Sequence, residues 1–468
     1  MTRLLLLAFT ASAIAACQAT DTAPAPSPIS PATSADIDPA LALATFDEVW
    51  SVIERTHFDP TYNGVDWHAV REELRPHAHQ AHTQDELRAV LHEMLSRLGQ
   101  SHFTILPAEA TRAMEANDDE DAQASDDTNE SPASRRRSSR SDQPGSIGAD
   151  IRLIDNEILI VAVEPDSPAH HAGLKPGMKL LGVGTREVSR LIQLLPDELD
   201  PRTRQLHAWH MVTARLAGDP GTSVDLRLED ETGERTVSVS RDPETGNPIK
   251  FGHLPTFHAK LSHERIEYGN RPASIGVITF NIWMVPLSSP FAAALDELRD
   301  ADGIVLDLRG NPGGVAGMAM GIAGHFLDER LSLGTMTTRD TELRIVANPQ
   351  RVNPSGQRVT PYGGPLAIVV DAQTGSTSEI FAAGLQALGR ARVFGETTMG
   401  AALPAMMTRL PNGDTLMHAF ANFVDPNGEA AEGRGVVPDE HVRHTVESLR
   451  AGRDAPLDAA LRWIASQH

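Results

Sequence analysis

The sequence has little cysteine, no excess of positive charge and no long apolar run after its first residues. It has one cysteine, Cys17, in 468 residues, so no disulfide can form within the chain. Lysine and arginine number 41 against 63 acidic residues, and the net charge of −22 argues against binding to nucleic acid. Beyond the first residues, no segment approaches the 18 apolar residues of a membrane span. A chain this long can bury a core without disulfides or metal, in about three domains.

Lysine is also scarce. The four lysines are Lys175, Lys179, Lys250 and Lys260, and the last 208 residues contain none. A mechanism that needs a lysine base in the C-terminal half is therefore excluded, unless one of these four folds over to reach it.

The N-terminus has the pattern of an export signal. Arg3 precedes a short apolar run that ends Ile14-Ala15-Ala16-Cys17. This ending resembles the bacterial lipobox, which predicts a signal peptide over 1–16 and a lipid on Cys17. The alternative is an ordinary signal peptide cut near Ala16, with a chance cysteine. We expect a lipid-anchored protein of the bacterial cell envelope, and Gln18 after the cysteine favours the outer membrane, facing the periplasm.

Composition and periodicity divide the remaining chain. We predict a disordered tether over 17–37, a helical domain over 38–107 and a low-complexity linker over 108–145. We further predict a β domain over 146–245, an α/β domain over 246–445 and a C-terminal helix over 446–468. In the helical domain, a capping box from Thr83 to Glu86 starts a helix that Gly99 ends. His77, His79 and His82 lie on a polar helix edge without a nearby cysteine, so we predict no metal site.

Two turns of the α/β domain can carry chemistry. After the strand that ends at Val370, the segment 371–379 turns sharply at Gly375 and starts a helix, which presents the Ser376 hydroxyl at a helix N-terminus. Helix capping by Ser376 or Thr377 is the structural alternative. The second turn is Arg309 to Gly314, where backbone N–H groups can approach a ligand; a plain strand–helix turn is its alternative.

The β domain resembles a PDZ domain. The resemblance rests on Asp166-Ser167-Pro168-Ala169 followed by the segment AGLKPGM over 172–178, where Met178 replaces the usual aspartate. It implies that Ser146, Ile147 and Gly148 form a loop that binds a peptide carboxylate. The apparently helical segment 190–217 is longer than usual for such a domain.

Four motifs in order resemble one family. They are LDLRGNPGG at 306–314, GSTSEIF at 375–381, GETTMG at 395–400 and EGRGVVPD at 432–439. Together they are similar to the C-terminal-processing, or tail-specific, serine peptidases and the related tricorn core proteases. The resemblance implies an α/β fold: a crotonase-like core with an N-terminal helical domain and an inserted PDZ-like β domain.

The resemblance also implies the catalytic groups. Ser376 matches the nucleophile, but Ala401 stands where the C-terminal-processing branch has its lysine base. The tricorn-like branch instead uses a Ser-His pair and a glutamate, which Ser101, His102 and Glu432 match. The implied oxyanion donors are the N–H of Thr377 and that of Gly313 or Gly314. Which of Ser101 and Glu432 orients His102 is left open, and the other candidate bases are His418, His325 and His441.

These observations predict a serine endopeptidase that hydrolyses peptide bonds through an acyl-enzyme, without metal or cofactor. Its expected substrates are unfolded or tail-exposed proteins and peptides, and the PDZ-like domain is expected either to recognise their C-termini or to gate access to the site. The alternative is a catalytically inactive relative that binds a peptide or an apolar ligand, an interpretation that the missing lysine motivates.

Overall fold

The computed structural model describes residues 35–108, 145–195, 199–249, 257–269 and 273–467. The predicted signal peptide, Cys17, most of the predicted tether and linker, and Lys250 lie outside these ranges. No helix in the described ranges has the length and apolar character needed to cross a membrane.

Three helices open the described chain: α1 (Pro39–Thr56), α2 (Trp67–His79) and α3 (Gln84–Ser96). The predicted capping box is present, since the Thr83 hydroxyl accepts from Glu86 N–H and the Glu86 carboxylate accepts from Thr83 N–H. One buried apolar cluster joins the helices. The predicted helical domain does not end in helix, however, because its last residues form strand β1 (Thr104–Leu106).

The next unit is built around an antiparallel sheet. This part of the chain has the strands β2 (Gly145–Ser146), β3 (Ala149–Ile154), β4 (Glu157–Val163), β5 (Lys179–Val183), β6 (Arg186–Glu187), β7 (Ser223–Asp230), β8 (Gly233–Ser240), β9 (Asp242–Pro243) and β10 (Asn247–Ile249). Strands β3 to β8 form the sheet, β2 pairs with β9, and β10 belongs to neither. The main path is β3-β4-β5-β7-β8, which leaves β3 at an edge. Its helices are α4 (Pro168–His171), α5 (Val188–Gln193) and α6 (Pro201–Leu216), so the predicted long helical segment is interrupted, and α6 packs beside β3.

The rest of the chain forms the α/β unit. Its strands are β11 (Phe257–Ala259), β12 (Leu261–Tyr268), β13 (Ala273–Phe280), β14 (Gly303–Asp307), β15 (Leu331–Thr337), β16 (Glu342–Ala347), β17 (Leu366–Val370), β18 (Arg392–Gly395), β19 (Ala405–Arg409), β20 (Thr415–Ala419), β21 (Asn422–Val424) and β22 (Glu440–His441). The central sheet has the order β12-β13-β14-β17-β18-β22, and all pairs from β13 to β22 are parallel. The predicted α/β class is confirmed.

Helices cover both faces of this sheet. They are α7 (Ser288–Glu297), α8 (Ala316–Ala323) and α9 (Thr377–Ala387) on one face and α11 (Ala455–Ala465) on the other, whereas Leu449 of α10 (Val446–Arg450) packs against Ile154 and Leu159 of the preceding unit. Successive side chains of a strand point to opposite faces. Accordingly, Ile304 and Leu306 pack in the cluster with α7, α8 and α9, whereas Val305 packs with α11. Both faces of β14 and β17 are therefore apolar, as expected for buried parallel strands.

The predicted single C-terminal helix is in fact two helices. Gly452 has a φ of 67° after α10, and the Asp454 side chain caps α11 by accepting from Leu457 N–H. The left-handed turn at Gly452 ends the first helix and re-aims the second onto the sheet. Of these two helices, α11 therefore completes the α/β core, whereas α10 packs on the antiparallel-sheet unit.

Two small sheets stand beside the central one. One has the order β1-β20-β19, and its β19–β20 hairpin turns at the predicted Asn412-Gly413. The other has the order β16-β15-β21. Pairing of Thr104 with Met417 joins the end of the helical segment to the α/β unit. It also places the loop before β1, which contains Ser101 and His102, beside that unit.

Candidate active site

Ser376 occupies a strained turn between β17 and α9. Its φ of 53° and ψ of −118° define a backbone conformation that residues with a Cβ rarely adopt. Such strain persists where the surrounding contacts impose it and is concentrated at functional sites. The turn places the half-buried Ser376 side chain at the N-terminus of α9, where the helix dipole favours negative charge.

Glu379 holds this turn in place. The Ser376 N–H donates to Glu379 Oε2 at 3.0 Å, and the Ala401 N–H donates to the same oxygen at 3.0 Å. Glu379 Oε1 accepts from Gly400 N–H at 2.7 Å and from the Thr398 hydroxyl at 2.5 Å. Complete burial raises the pKa of Glu379 to about 7, while the four donors act in the opposite direction. Sequence reasoning used Glu379 only as a motif marker and missed this role.

The glycine turn lies directly against Ser376. A Cβ on Gly313 would stand 2.6 Å from Ser376 Cβ, and Gly313 has a φ of 107°, so glycine is required there. The Thr377 hydroxyl donates to Gly314 O at 2.8 Å, and the Ser378 hydroxyl donates to Asn311 O at 3.1 Å. These bonds lock the two predicted turns together.

The structure distinguishes the backbone donors of the glycine turn. The Gly313 N–H donates to Asn311 Oδ1 at 3.0 Å and is therefore occupied. The N–H groups of Gly314 and Thr377 have no hydrogen-bond partner in the described ranges. Of the two glycines expected as alternatives, Gly314 is the one whose N–H remains available.

Ser101, His102 and Glu432 form a connected network. The Ser101 hydroxyl lies 2.9 Å from Glu432 Oε2 and 2.7 Å from His102 Nδ1. The Ser101 N–H donates to Glu432 Oε1 at 2.8 Å, and the Ala402 N–H donates to Oε2 at 2.9 Å. With these backbone donors, Glu432 acts as a carboxylate acceptor, so the Ser101 hydroxyl donates to it. The Ser101 oxygen then accepts from His102 Nδ1–H, which leaves the Nε2 lone pair free.

His57 supports the loop that carries this pair. The ring is fully buried and stacks on Phe58 and Phe103 at centroid distances of 4.9 and 5.5 Å. Its Nε2 lies 3.0 Å from Gln100 Oε1, and its Nδ1 lies 2.9 Å from Asp59 O. His57 thus contacts the chain on both sides of Ser101-His102. The sequence carried no local signal for this role, because the contact is made across 43 residues.

His102 and Ser376 line one cavity of about 580 Å³. Desolvation lowers the pKa of His102 to about 4, so its ring is neutral near pH 7. Within the described part of the chain, the His102 ring is bonded to Ser101 and not to Ser376. Catalytic hydrogen bonds are often long in a structure without substrate. The geometry therefore presents a serine and a neutral imidazole to the same space.

The described lysines do not supply a base at this cavity. Ala401 stands beside the serine, and its carbonyl accepts from Ser376 N–H at 2.9 Å. Lys179 pairs with Glu157, and Lys260 pairs with Glu164 at 2.6 Å. Lys175 is not among the lining residues of the cavity.

The other candidate bases lie elsewhere. His418 is buried between the hydroxyls of Thr56 and Thr408, each 3.1 Å from a ring nitrogen. His325 lines a separate groove, and His441 is exposed on β22. The structure brings none of these three to the cavity that Ser376 lines.

Two further candidate ligand sites lie outside this cavity. In the loop of Ser146, Ile147 and Gly148, the carbonyls of Ile147 and Gly148 accept from Ala169 and Glu164 N–H at 2.8 Å each. For metals, the group with ligating spacing within the described ranges is exposed and comprises Asp166, His170 and His171. The cavity beside Ser376 has no such group among its lining residues.

Two parts of the chain match models of known families. Residues 274–442 match the model for peptidase family S41, a range that contains both turns and Glu432. Residues 43–96, which hold most of α1 and all of α2 and α3, match the tricorn protease C1 domain.

Relatives match over most of the chain. A carboxyl-terminal-processing protease of Picosynechococcus is 26% identical over 404 residues, 84% of this chain and 82% of that protein. One from Synechocystis is 25% identical over 424 residues, 88% and 84% of the two chains. A solved photosystem II D1 C-terminal processing protease has a TM-score of 0.55 at 20% identity, covers 90% of this chain and 96% of its own, and shows the shared fold. Residues 274–442 are therefore a peptidase family S41 domain, and the chain is a serine-type peptidase.

Proposed function

We propose that this chain is an endopeptidase that cleaves unfolded or tail-exposed proteins through an acyl-enzyme on Ser376. The observation that carries the proposal is the shared cavity, where the strained Ser376 faces a neutral His102 whose Nε2 lone pair is free. A serine hydroxyl is a weak nucleophile until a neighbouring base accepts its proton. Both parts of this pair are present, and the lysine of the related branch is not needed.

In the proposed reaction His102 Nε2 accepts the hydroxyl proton as Ser376 Oγ attacks the peptide carbonyl carbon. The tetrahedral intermediate collapses, the C–N bond breaks, and His102 returns the proton to the leaving amine. A water then gives its proton to His102 and hydrolyses the ester, releasing the acid and restoring Ser376.

The oxyanion would be held by the N–H groups of Gly314 and Thr377. Their free state and position beside Ser376 support this assignment, and the dipole of α9 adds to it. Removing one such donor typically costs about 2.7–4 kcal/mol of transition-state stabilisation.

Ser101 and Glu432 are positioning residues in this proposal. Glu432 fixes the direction of the Ser101 hydroxyl, and Ser101 in turn fixes the proton of His102 on Nδ1. As His102 becomes charged, the Ser101 oxygen and the carboxylate behind it stabilise the imidazolium. The relay therefore runs from Glu432 through Ser101 to His102.

We also propose that residues 146–245 act as a PDZ-like domain that recruits peptide C-termini to a crotonase-like core. An open edge at β3 with α6 beside it supports addition of a peptide strand. The Gln205 side chain of α6 donates to Leu153 O at 3.3 Å, so a peptide must displace this bond along the edge. Ser146, Ile147 and Gly148 remain the proposed carboxylate loop.

A lipid on Cys17 and the bacterial envelope as location remain proposals from the sequence alone. Metabolic labelling with a radioactive fatty acid tests them, using Cys17→Ala as the control. Incorporation into the wild type alone supports the anchor, whereas equal incorporation in both contradicts it.

The proposed reaction is tested with a fluorophosphonate, which labels activated serines. We expect labelling that maps to Ser376 by peptide mass spectrometry and disappears in Ser376→Ala, together with cleavage of an unfolded protein such as casein. Absence of both labelling and cleavage in the folded wild type would favour the inactive, ligand-binding alternative.

A further inference from the structure

The cavity beside Ser376 also has a chemical character of its own. We propose that it holds the side chain on the acyl side of the scissile bond, the P1 residue, and selects long apolar side chains such as leucine, methionine and phenylalanine. This inference rests on the proposed function and adds the substrate class to it.

The position of the cavity assigns it to P1. Gly314 and Thr377 line it together with Ser376, so a carbonyl held by their N–H groups lies at the cavity wall. The side chain attached next to that carbonyl then enters the space behind it. His102 lines the same cavity, and in the proposed reaction it gives its proton to the leaving amine there.

Four methionines form much of the cavity wall: Met284, Met336, Met407 and Met417. Met407 and Met417 are directly paired across the β19–β20 hairpin, so their side chains share one face. Met336 reaches the cavity from β15, in a different sheet. Ile282, Ile380 and Phe420 are the other large apolar side chains of the lining, together with smaller ones from Pro312, Val315, Ala316, Pro404 and Ala405.

Methionine side chains are flexible and polarisable, so such a wall adapts to apolar groups of different shape. The cavity volume of about 580 Å³ exceeds the roughly 150 Å³ that accommodates a benzene ring. It can therefore take a large side chain and part of the adjoining backbone. Alanine would leave most of this space without contacts.

The lining has few ionisable groups, and this disfavours substrates with a charged P1 side chain. Among the residues that line the cavity, His102 is the ionisable one, and it has no carboxylate, lysine or arginine beside it there. A charged P1 side chain would lose its hydration without gaining an ion pair. Lysine, arginine, aspartate and glutamate should accordingly be rejected at this position.

A series of fluorogenic peptides that differ only at P1 tests the assignment. We expect kcat/KM for leucine, methionine or phenylalanine to exceed that for alanine by about 10–100-fold, and that for charged residues by about 100-fold or more. A flat response, a preference for charge, or a selectivity that appears only on the leaving-group side would overturn the proposal.

A matched pair of variants tests the wall itself. Met407→Glu places a carboxylate in the cavity, whereas Met406→Glu places one on the opposite face of β19, where the side chain is 43% exposed. We expect Met407→Glu to raise the arginine-to-leucine ratio of kcat/KM at least tenfold and Met406→Glu to leave it within twofold. Equal ratios in the two variants would contradict the assignment.

Labelling by a small fluorophosphonate separates the two levels of failure. A wild type that is neither labelled nor active would remove the proposed function itself. Labelled enzyme without P1 selectivity would remove only the present inference. Should Met407→Glu fail to fold, Met336→Glu on the other wall is the second variant, with the same expected change of ratio.

Discussion

Glu432 Oε2 accepts a hydrogen bond from the Ser101 hydroxyl at 2.9 Å, although 331 positions separate the two residues in the chain. This bond determines which way the Ser101 oxygen presents its lone pairs, and therefore which nitrogen of His102 carries the proton. In the proposed mechanism, a serine between the carboxylate and the imidazole does what a carboxylate does directly in a Ser-His-Asp triad.

Glu432→Gln should disturb this relay without removing the base. The glutamine amide can donate to Ser101, which turns the Ser101 hydroxyl toward His102 Nδ1 and moves the ring proton to Nε2. We expect kcat/KM to fall about 10²–10⁴-fold, in line with an imidazole held in the wrong tautomer.

The tautomer itself can be measured by ¹⁵N NMR of His102, which separates a positioning role from a loss of fold. Glu429→Gln is the control, because that side chain is exposed and paired with Arg434. A Glu432→Gln enzyme with full activity and an unchanged tautomer would contradict the relay.

The pH dependence of the reaction should reflect the low pKa of His102. Desolvation lowers this pKa to about 4, so the free enzyme keeps a neutral base well below the usual range near 6.5. We expect the acid limb of kcat/KM to fall near pH 4. A limb at pH 6.5 to 7 would show instead that the ring is solvated.

Folding stability should fall over the same acidic range. The pKa values of His102, His325 and His418 are each lowered to about 4 by desolvation, while an unfolded histidine titrates near 6.5. Between these two pH values the unfolded chain binds more protons than the folded chain. The free energy of unfolding therefore decreases as the pH falls from 6.5 to 4. We expect a declining melting temperature across this window.

His325→Phe should reduce that decline, because the buried His325 Nδ1 has no hydrogen-bond partner within the described residues. His441→Gln, at an exposed position, is its control. Equal slopes of melting temperature against pH in the two variants would exclude His325 from the effect.

Gly313→Ala should inactivate the enzyme through sterics. The added Cβ would stand 2.6 Å from Ser376 Cβ and 2.9 Å from Thr377 N, which forces the two turns apart. We expect fluorophosphonate labelling and kcat to fall by at least about 100-fold, since the oxyanion donors and the nucleophile move together. Gly317→Ala is the matched control, because a Cβ there meets nothing within 4 Å.

Glu379→Gln should loosen the turn that carries the nucleophile. An amide cannot accept all four donors that meet the carboxylate, so at least one buried N–H or hydroxyl loses its partner, at about 1–3 kcal/mol each. We expect lower thermal stability, together with a fall in kcat larger than any change in KM. An enzyme destabilised but with unchanged kcat would assign Glu379 to folding alone.

Much of the fold could be predicted because its signals are local. The capping box at Thr83 and the hairpin turn at Asn412-Gly413 are confirmed, since each depends on residues within a few positions. The prediction of one helix over 446–468 is wrong, because the left-handed turn at Gly452 depends on how α11 packs onto the sheet.

The candidate site divides along the same line. The strand–turn–helix at Ser376, the glycine turn and the absence of lysine after Lys260 could all be read from the order of residues. Together they specify a serine at a helix N-terminus that needs a base other than lysine, because turn chemistry and helix capping act over a few residues.

Packing over long distances supplies the rest. Pairing of Thr104 with Met417 carries His102 to the cavity of Ser376, and the contact of His57 with Gln100 steadies that loop. The occupied N–H of Gly313, the free N–H of Gly314 and the methionine wall likewise arise where separate elements meet. Such contacts leave no periodic or adjacent pattern in the chain, since they depend on which distant strands share an edge.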